Sequence, residues 1–84
     1  MPLASRPVRH VTFYTKAGCH LCEHAEEALE DLRQDYDLRV TPVDITADLA
    51  IYDRYNYEIP VVVVAEGATV SGRIDERALR QALR

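Results

Sequence analysis

Cys19-His20-Leu21-Cys22 holds both cysteines of the chain, three positions apart. The β-prone stretch Val11-Thr12-Phe13-Tyr14 precedes it, and Glu23 to Leu32, rich in Glu, Ala and Leu at helical spacing, follows it. Two thiols where a strand hands over to a helix suit dithiol–disulfide exchange. Side chains at i and i+3 of a helical turn have Cβ atoms about 5–6 Å apart, and a disulfide needs roughly 3.5–4.5 Å. A small relaxation therefore closes or opens the bond without refolding the chain. Cys19 stands at the positive end of the helix, where unpaired N–H groups stabilise a thiolate, and is the expected nucleophile. Cys22 falls on the stripe of Ala25 and Leu29, and a thiol buried there suits a resolving role.

Other reactive side chains are sparse. Lys16 lies three residues before Cys19 and adds positive charge beside it. His20, between the cysteines, is placed to tune the exchange by its charge. His24 is expected at the surface and His10 off the first strand. No second C-x-x-C pair completes a ligand set for zinc, so no metal is expected.

The elements that must hold this pair follow from patterning. Val8 to Thr15 reads as a first strand. A helix begins at Cys19 or His20, with Leu21, Cys22, Ala25, Ala28, Leu29 and Leu32 as its buried stripe and Glu23, Glu26, Glu27, Glu30 and Asp31 outside it. Leu38 to Val43 is a second strand whose Pro42 suits an edge or a strand end. A second helix is expected from about Ala47 to Tyr55, ended by Asn56 in the left-handed conformation. Tyr52, Tyr55 and Tyr57 are read as packing for it, with their hydroxyls reaching water. Val61 to Ala65 is a strand covered on both faces, and Glu66-Gly67 turns it into a short strand at Thr69 to Ser71. Asp75 caps the last helix, with Ile74 and Leu79 as a hydrophobic staple and Arg80 and Arg84 toward its C-terminus. The order β-α-β-α-β-β-α predicts an α/β fold, a small mixed sheet with helices on both faces.

A chain of 84 residues makes one domain, 1–84, with residues 1–7 as a mobile lead-in. A net charge of −4 and a pI near 5.2 argue against nucleic acid, which needs a basic surface. No apolar run approaches the roughly 18–20 residues of a membrane span, so no membrane partner is expected. The N-terminus has no secretory h-region, which favours a reducing, cytoplasmic setting in which close thiols are catalytic or metal-binding. A C-x-x-C loop is in any case too short to be a useful structural staple. A monomer is expected.

Tyr14 to Cys22, Val43-Asp44-Ile45, Ile59-Pro60-Val61 and Ser71-Gly72-Arg73-Ile74-Asp75 together resemble glutaredoxins. More narrowly, they resemble the small bacterial glutaredoxin-like proteins of the thioredoxin superfamily, and the resemblance runs from Val8 onward. It implies a thioredoxin-like fold and a thiol–disulfide oxidoreductase that reduces protein or mixed disulfides with no bound cofactor. Electrons would come from glutathione or from a protein of the thioredoxin-reductase type. By the same resemblance Lys16 favours the Cys19 thiolate, and Pro60 follows a cis bond and faces the thiols. Ile59 would offer its backbone to an extended substrate, and Gly72 and Arg73 would bind substrate, Arg73 through a glutathione carboxylate. An iron–sulfur cluster shared between two chains occurs among glutaredoxins. The alternative is therefore a thioredoxin-like binding module whose thiols hold a metal or cluster, or which docks a partner without turnover. Three departures from the glutaredoxin pattern stand out. His20-Leu21 replaces Pro-Tyr, Ser71-Gly72 replaces Gly-Gly, and Ile74 stands where an acid would hold the amino group of glutathione. These departures make glutathione a poor expected partner.

Overall fold

Strand β1 (Val8–Thr15) has a neighbour on each side, and the rest of the fold is arranged about it. The structure is a computed structural model and describes residues 6–84. β1 pairs in parallel with β2 (Asp37–Asp44), from Val8 opposite Asp37 to Thr15 opposite Asp44. On its other side it pairs antiparallel with β3 (Val61–Val64), from Val11 opposite Val64 to Tyr14 opposite Val61. β4 (Thr69–Ser71) adds to β3, giving the order β2-β1-β3-β4 with β2 at one edge. The helices are α1 (His20–Leu32), α2 (Leu49–Tyr55) and α3 (Glu76–Ala82). Among the described residues no helix is long and apolar enough to cross a membrane.

Alternate residues of a strand face opposite sides of the sheet, and here the two sides are covered unequally. Val11, Phe13, Val62 and Val64 face α1 and α3 and join Ala25, Leu29, Leu32, Leu79 and Leu83 in the main core. Truncating one such leucine to alanine typically costs 2–5 kcal/mol, so this side carries most of the stability. On the other side Tyr14 stacks on Tyr55 of α2, ring centroids 4.1 Å apart. α2 buries none of its own residues completely, and Ile45 and Val61 are buried apart from the main core.

Several boundaries differ from those the sequence predicts. Asp44 caps a single 3₁₀ turn, Ile45–Ala47, and only after Asp48 does α2 begin. Each aspartate offers its side chain to an N–H two or three residues on, Asp44 to Thr46 and Asp48 to Ile51, and so starts a fresh helical turn. Asn56 is right-handed, with φ −52°, and continues into a turn in which Glu58 and Ile59 donate to the Tyr55 carbonyl. Among the described residues the left-handed non-glycine position is Glu66 instead, in the β3–β4 turn. β3 stops at Val64, and the exposed Ala65 donates its N–H to the His10 carbonyl at 2.9 Å. Of the expected lead-in, residues 1–5 lie outside the described residues. Arg6 donates to the Arg33 carbonyl at 2.8 Å, and the Pro7 carbonyl accepts from Asp37 at 2.9 Å.

Candidate active site

Gly18 delivers the first thiol. Its φ of +76° lies in the left-handed region that glycine adopts without strain, and it turns the chain from β1 into the first turn of α1. Cys19 is the N-cap of α1, in extended conformation with φ −92° and ψ 107°. Its Sγ accepts the Cys22 backbone N–H at 3.2 Å, as a serine hydroxyl does at other helix starts. The His20 and Leu21 N–H groups take no protein partner among the described residues, so two further first-turn donors are left at the sulfur end of the helix. Cys19 and Cys22 form a disulfide, Cα atoms 5.1 Å apart. The two sulfurs are unequal in access. Cys19 is half-buried at the edge of the core, whereas Cys22 is 3% exposed within it.

Just before β3 the Ile59–Pro60 peptide bond is cis and Pro60 is buried. The β1–β3 register ends at Tyr14 opposite Val61. Pro60 immediately precedes that last pair, at the sheet end from which β1 runs on through Lys16 to Cys19. Lys16 is half-buried there. Gly72, with φ +81°, donates its N–H to the Pro60 carbonyl at 3.0 Å, tying the start of the α3 loop to the proline. Ile59 differs from expectation in one respect: its backbone is only partly free, because its N–H is already bonded to the Tyr55 carbonyl at 3.1 Å.

A groove of about 400 Å³ runs between the two loops, lined by His20, Leu21, His24, Arg73, Ile74 and Asp75. Leu21, expected on the buried stripe, is 38% exposed. In the first turn of α1 it faces this groove and not the sheet. Ile74 is 3% exposed and belongs to the main core. Asp75 accepts the Ala78 N–H at 2.8 Å and so caps α3. Arg73 is exposed and has no ion pair or hydrogen bond among the described residues. His20 Nδ1 lies 3.3 Å from Glu23 Oε2, and the His20 and His24 rings meet edge to face at 4.9 Å. Sequence reasoning left His24 out of the site. The signal was its i+4 spacing from His20, which puts both rings on one helical face. Among the described residues no group of three or more histidine, cysteine or carboxylate side chains gathers to hold a metal ion.

The Glutaredoxin-like domain (DUF836) profile matches residues 10–84. The chain belongs to this glutaredoxin-like family. A structural-genomics target protein from X. campestris is similar to it at 32% identity and a TM-score of 0.75, over 87% of this chain and 93% of that one. A malarial protein of 12% identity shares the fold, with a TM-score of 0.72 over 90% of this chain and 93% of that one. The glutaredoxin-like domain thus has a thioredoxin-like architecture, with its C-x-x-C pair closing the first turn of α1.

Proposed function

We propose that the protein is a thiol–disulfide oxidoreductase in which Cys19 attacks and Cys22 resolves. The observation that carries this reading is the unequal access of two sulfurs joined in one helical turn, the accessible one being the helix cap. In the reduced protein the Cys19 thiolate, favoured by the first-turn N–H groups, attacks one sulfur of a substrate disulfide. That S–S bond breaks and the leaving thiolate takes up a proton. Cys22 then loses its proton and attacks the Cys19 sulfur of the mixed disulfide, releasing the second substrate thiol. Two electrons have passed to the substrate, and the protein holds the Cys19–Cys22 disulfide, which a two-electron donor must reopen.

The groove supports a reductase of the thioredoxin-reductase type over glutathione as that donor. A tripeptide ammonium would need a free carboxylate, but Ile74 is buried and the Asp75 carboxylate is committed to Ala78. The deciding experiment offers the oxidised protein each donor in turn and follows thiol formation, then follows turnover of a protein disulfide. Reduction by neither donor, with metal bound on anaerobic purification, would favour the binding-module reading.

A further inference from the structure

His20 and His24 stand one turn apart on α1, both exposed, and both line the groove beside the disulfide turn. Residues at i and i+4 share a helical face, and two histidines so spaced make a bidentate ligand pair for a divalent transition ion. Their rings already have the separation that such an ion sets. A metal–nitrogen bond of about 2.0–2.1 Å and ligand angles of roughly 90–110° put the two ring centroids about 4.5–5.2 Å apart. The observed centroids are 4.9 Å apart, with the rings edge to face. Rotation about each Cβ–Cγ bond redirects the nitrogens and leaves the centroids nearly in place.

Glu23 supplies the outer contact of a metal-binding histidine. Its Oε2 lies 3.3 Å from His20 Nδ1. A carboxylate there holds the proton on Nδ1 and leaves the Nε2 lone pair for a metal. The His24 ring has no hydrogen bond or ion pair among the described residues, so both of its nitrogens are uncommitted. Glu26 and Glu27, exposed on the next turn, add negative charge that offsets the positive first turn and Arg73 across the groove. We propose that His20 and His24 form a site for one divalent transition-metal ion, with water completing its coordination. Imidazole ligands without thiolate suit zinc, nickel and copper. The site is distinct from the dithiol. It is complete in the oxidised protein, where Cys19 and Cys22 are joined, and it does not depend on the exchange reaction proposed at Cys19. An ion held there forms part of the α1 wall of the groove, next to the accessible sulfur.

The test titrates Zn²⁺ into the oxidised full-length protein, in which the disulfide denies the metal both thiols. The side chains of the three histidines are followed by NMR. His20 and His24 should shift together along one saturation curve, with His10 unmoved. His24→Gln should weaken binding by about tenfold or more, because a lone imidazole cannot chelate, and His20→Gln should do the same. Separate curves for the two rings, or unchanged affinity in His24→Gln, would mean that the histidines act singly. Either result, or no shift of the pair at millimolar Zn²⁺, overturns the inference. None of these outcomes touches the oxidoreductase reading, since the oxidised protein is never asked to turn over.

Discussion

The Cys22 backbone N–H donates to Cys19 Sγ at 3.2 Å, so the accessible sulfur caps the very turn that buries its partner. Serine is a preferred N-cap residue, and Cys19→Ser should therefore fold with little loss of stability while reducing no disulfide. Cys22→Ser should still attack and then stall as a mixed disulfide, detectable as an adduct by mass spectrometry. The opposite pattern of attack would reverse the two roles. In the reduced wild-type protein, thiolate absorbance followed against pH should show Cys19 ionising below the ordinary thiol value.

Gly72→Ala tests the tie between the α3 loop and Pro60. An added Cβ would meet nothing within 4 Å, so the expected cost is conformational: a φ of +81° disfavours any side chain. The loss should be about 1–2 kcal/mol in chemical denaturation. Disulfide exchange should slow as well, because the Gly72 N–H positions the Pro60 carbonyl. An alanine variant with wild-type stability would show that this backbone geometry is not required.

Ile74→Asp, the obvious way to supply an acid for glutathione, should fail as a gain of function. The side chain is 3% exposed, and replacing it with a carboxylate combines lost core packing with an unpaired buried charge, about 3–5 kcal/mol. Asp75→Ala should cost about 1 kcal/mol through the lost α3 cap. Thermal unfolding of both variants gives the comparison. A stable Ile74→Asp protein with faster glutathione-dependent turnover would contradict the placement of Ile74.

The Tyr14 phenol is held above its ordinary pKa, first by hydrogen bonding with the Tyr55 side chain and then by burial. A raised folded-state value stabilises the fold below the unfolded-state pKa. That contribution is lost as pH climbs through the folded value. Alkaline titration of tyrosinate absorbance should show one late-ionising tyrosine, removed in Tyr55→Phe, together with a decline in stability over the same pH range.

Most of the fold was legible because its signals are local. The thiol spacing, the apolar stripe from Cys22 to Leu32, the valine run and the Asp75 cap each act through residues within a few positions. The sequence misled where a tertiary partner decided the outcome. Leu21 has the spacing of a core residue but sits beyond the sheet, against the α3 loop. Asn56 has a side chain tolerant of the left-handed region, yet Glu58 and Ile59 draw the chain on by bonding to Tyr55. That same bond occupies the Ile59 N–H, which no inspection of an Ile-Pro dipeptide could reveal.

The edge strand β2 has a consequence for self-association. Its outer margin would template another chain's strand if it were flat, apolar and fully supplied with donors. Instead, Pro42 brings no N–H, and the Asp37–Arg39 ion pair at 2.8 Å sets charge along the margin. The opposite border, β4, is only three residues long. A sheet that carries a proline and charge on one flank and is only three residues deep on the other offers a second copy little margin to extend.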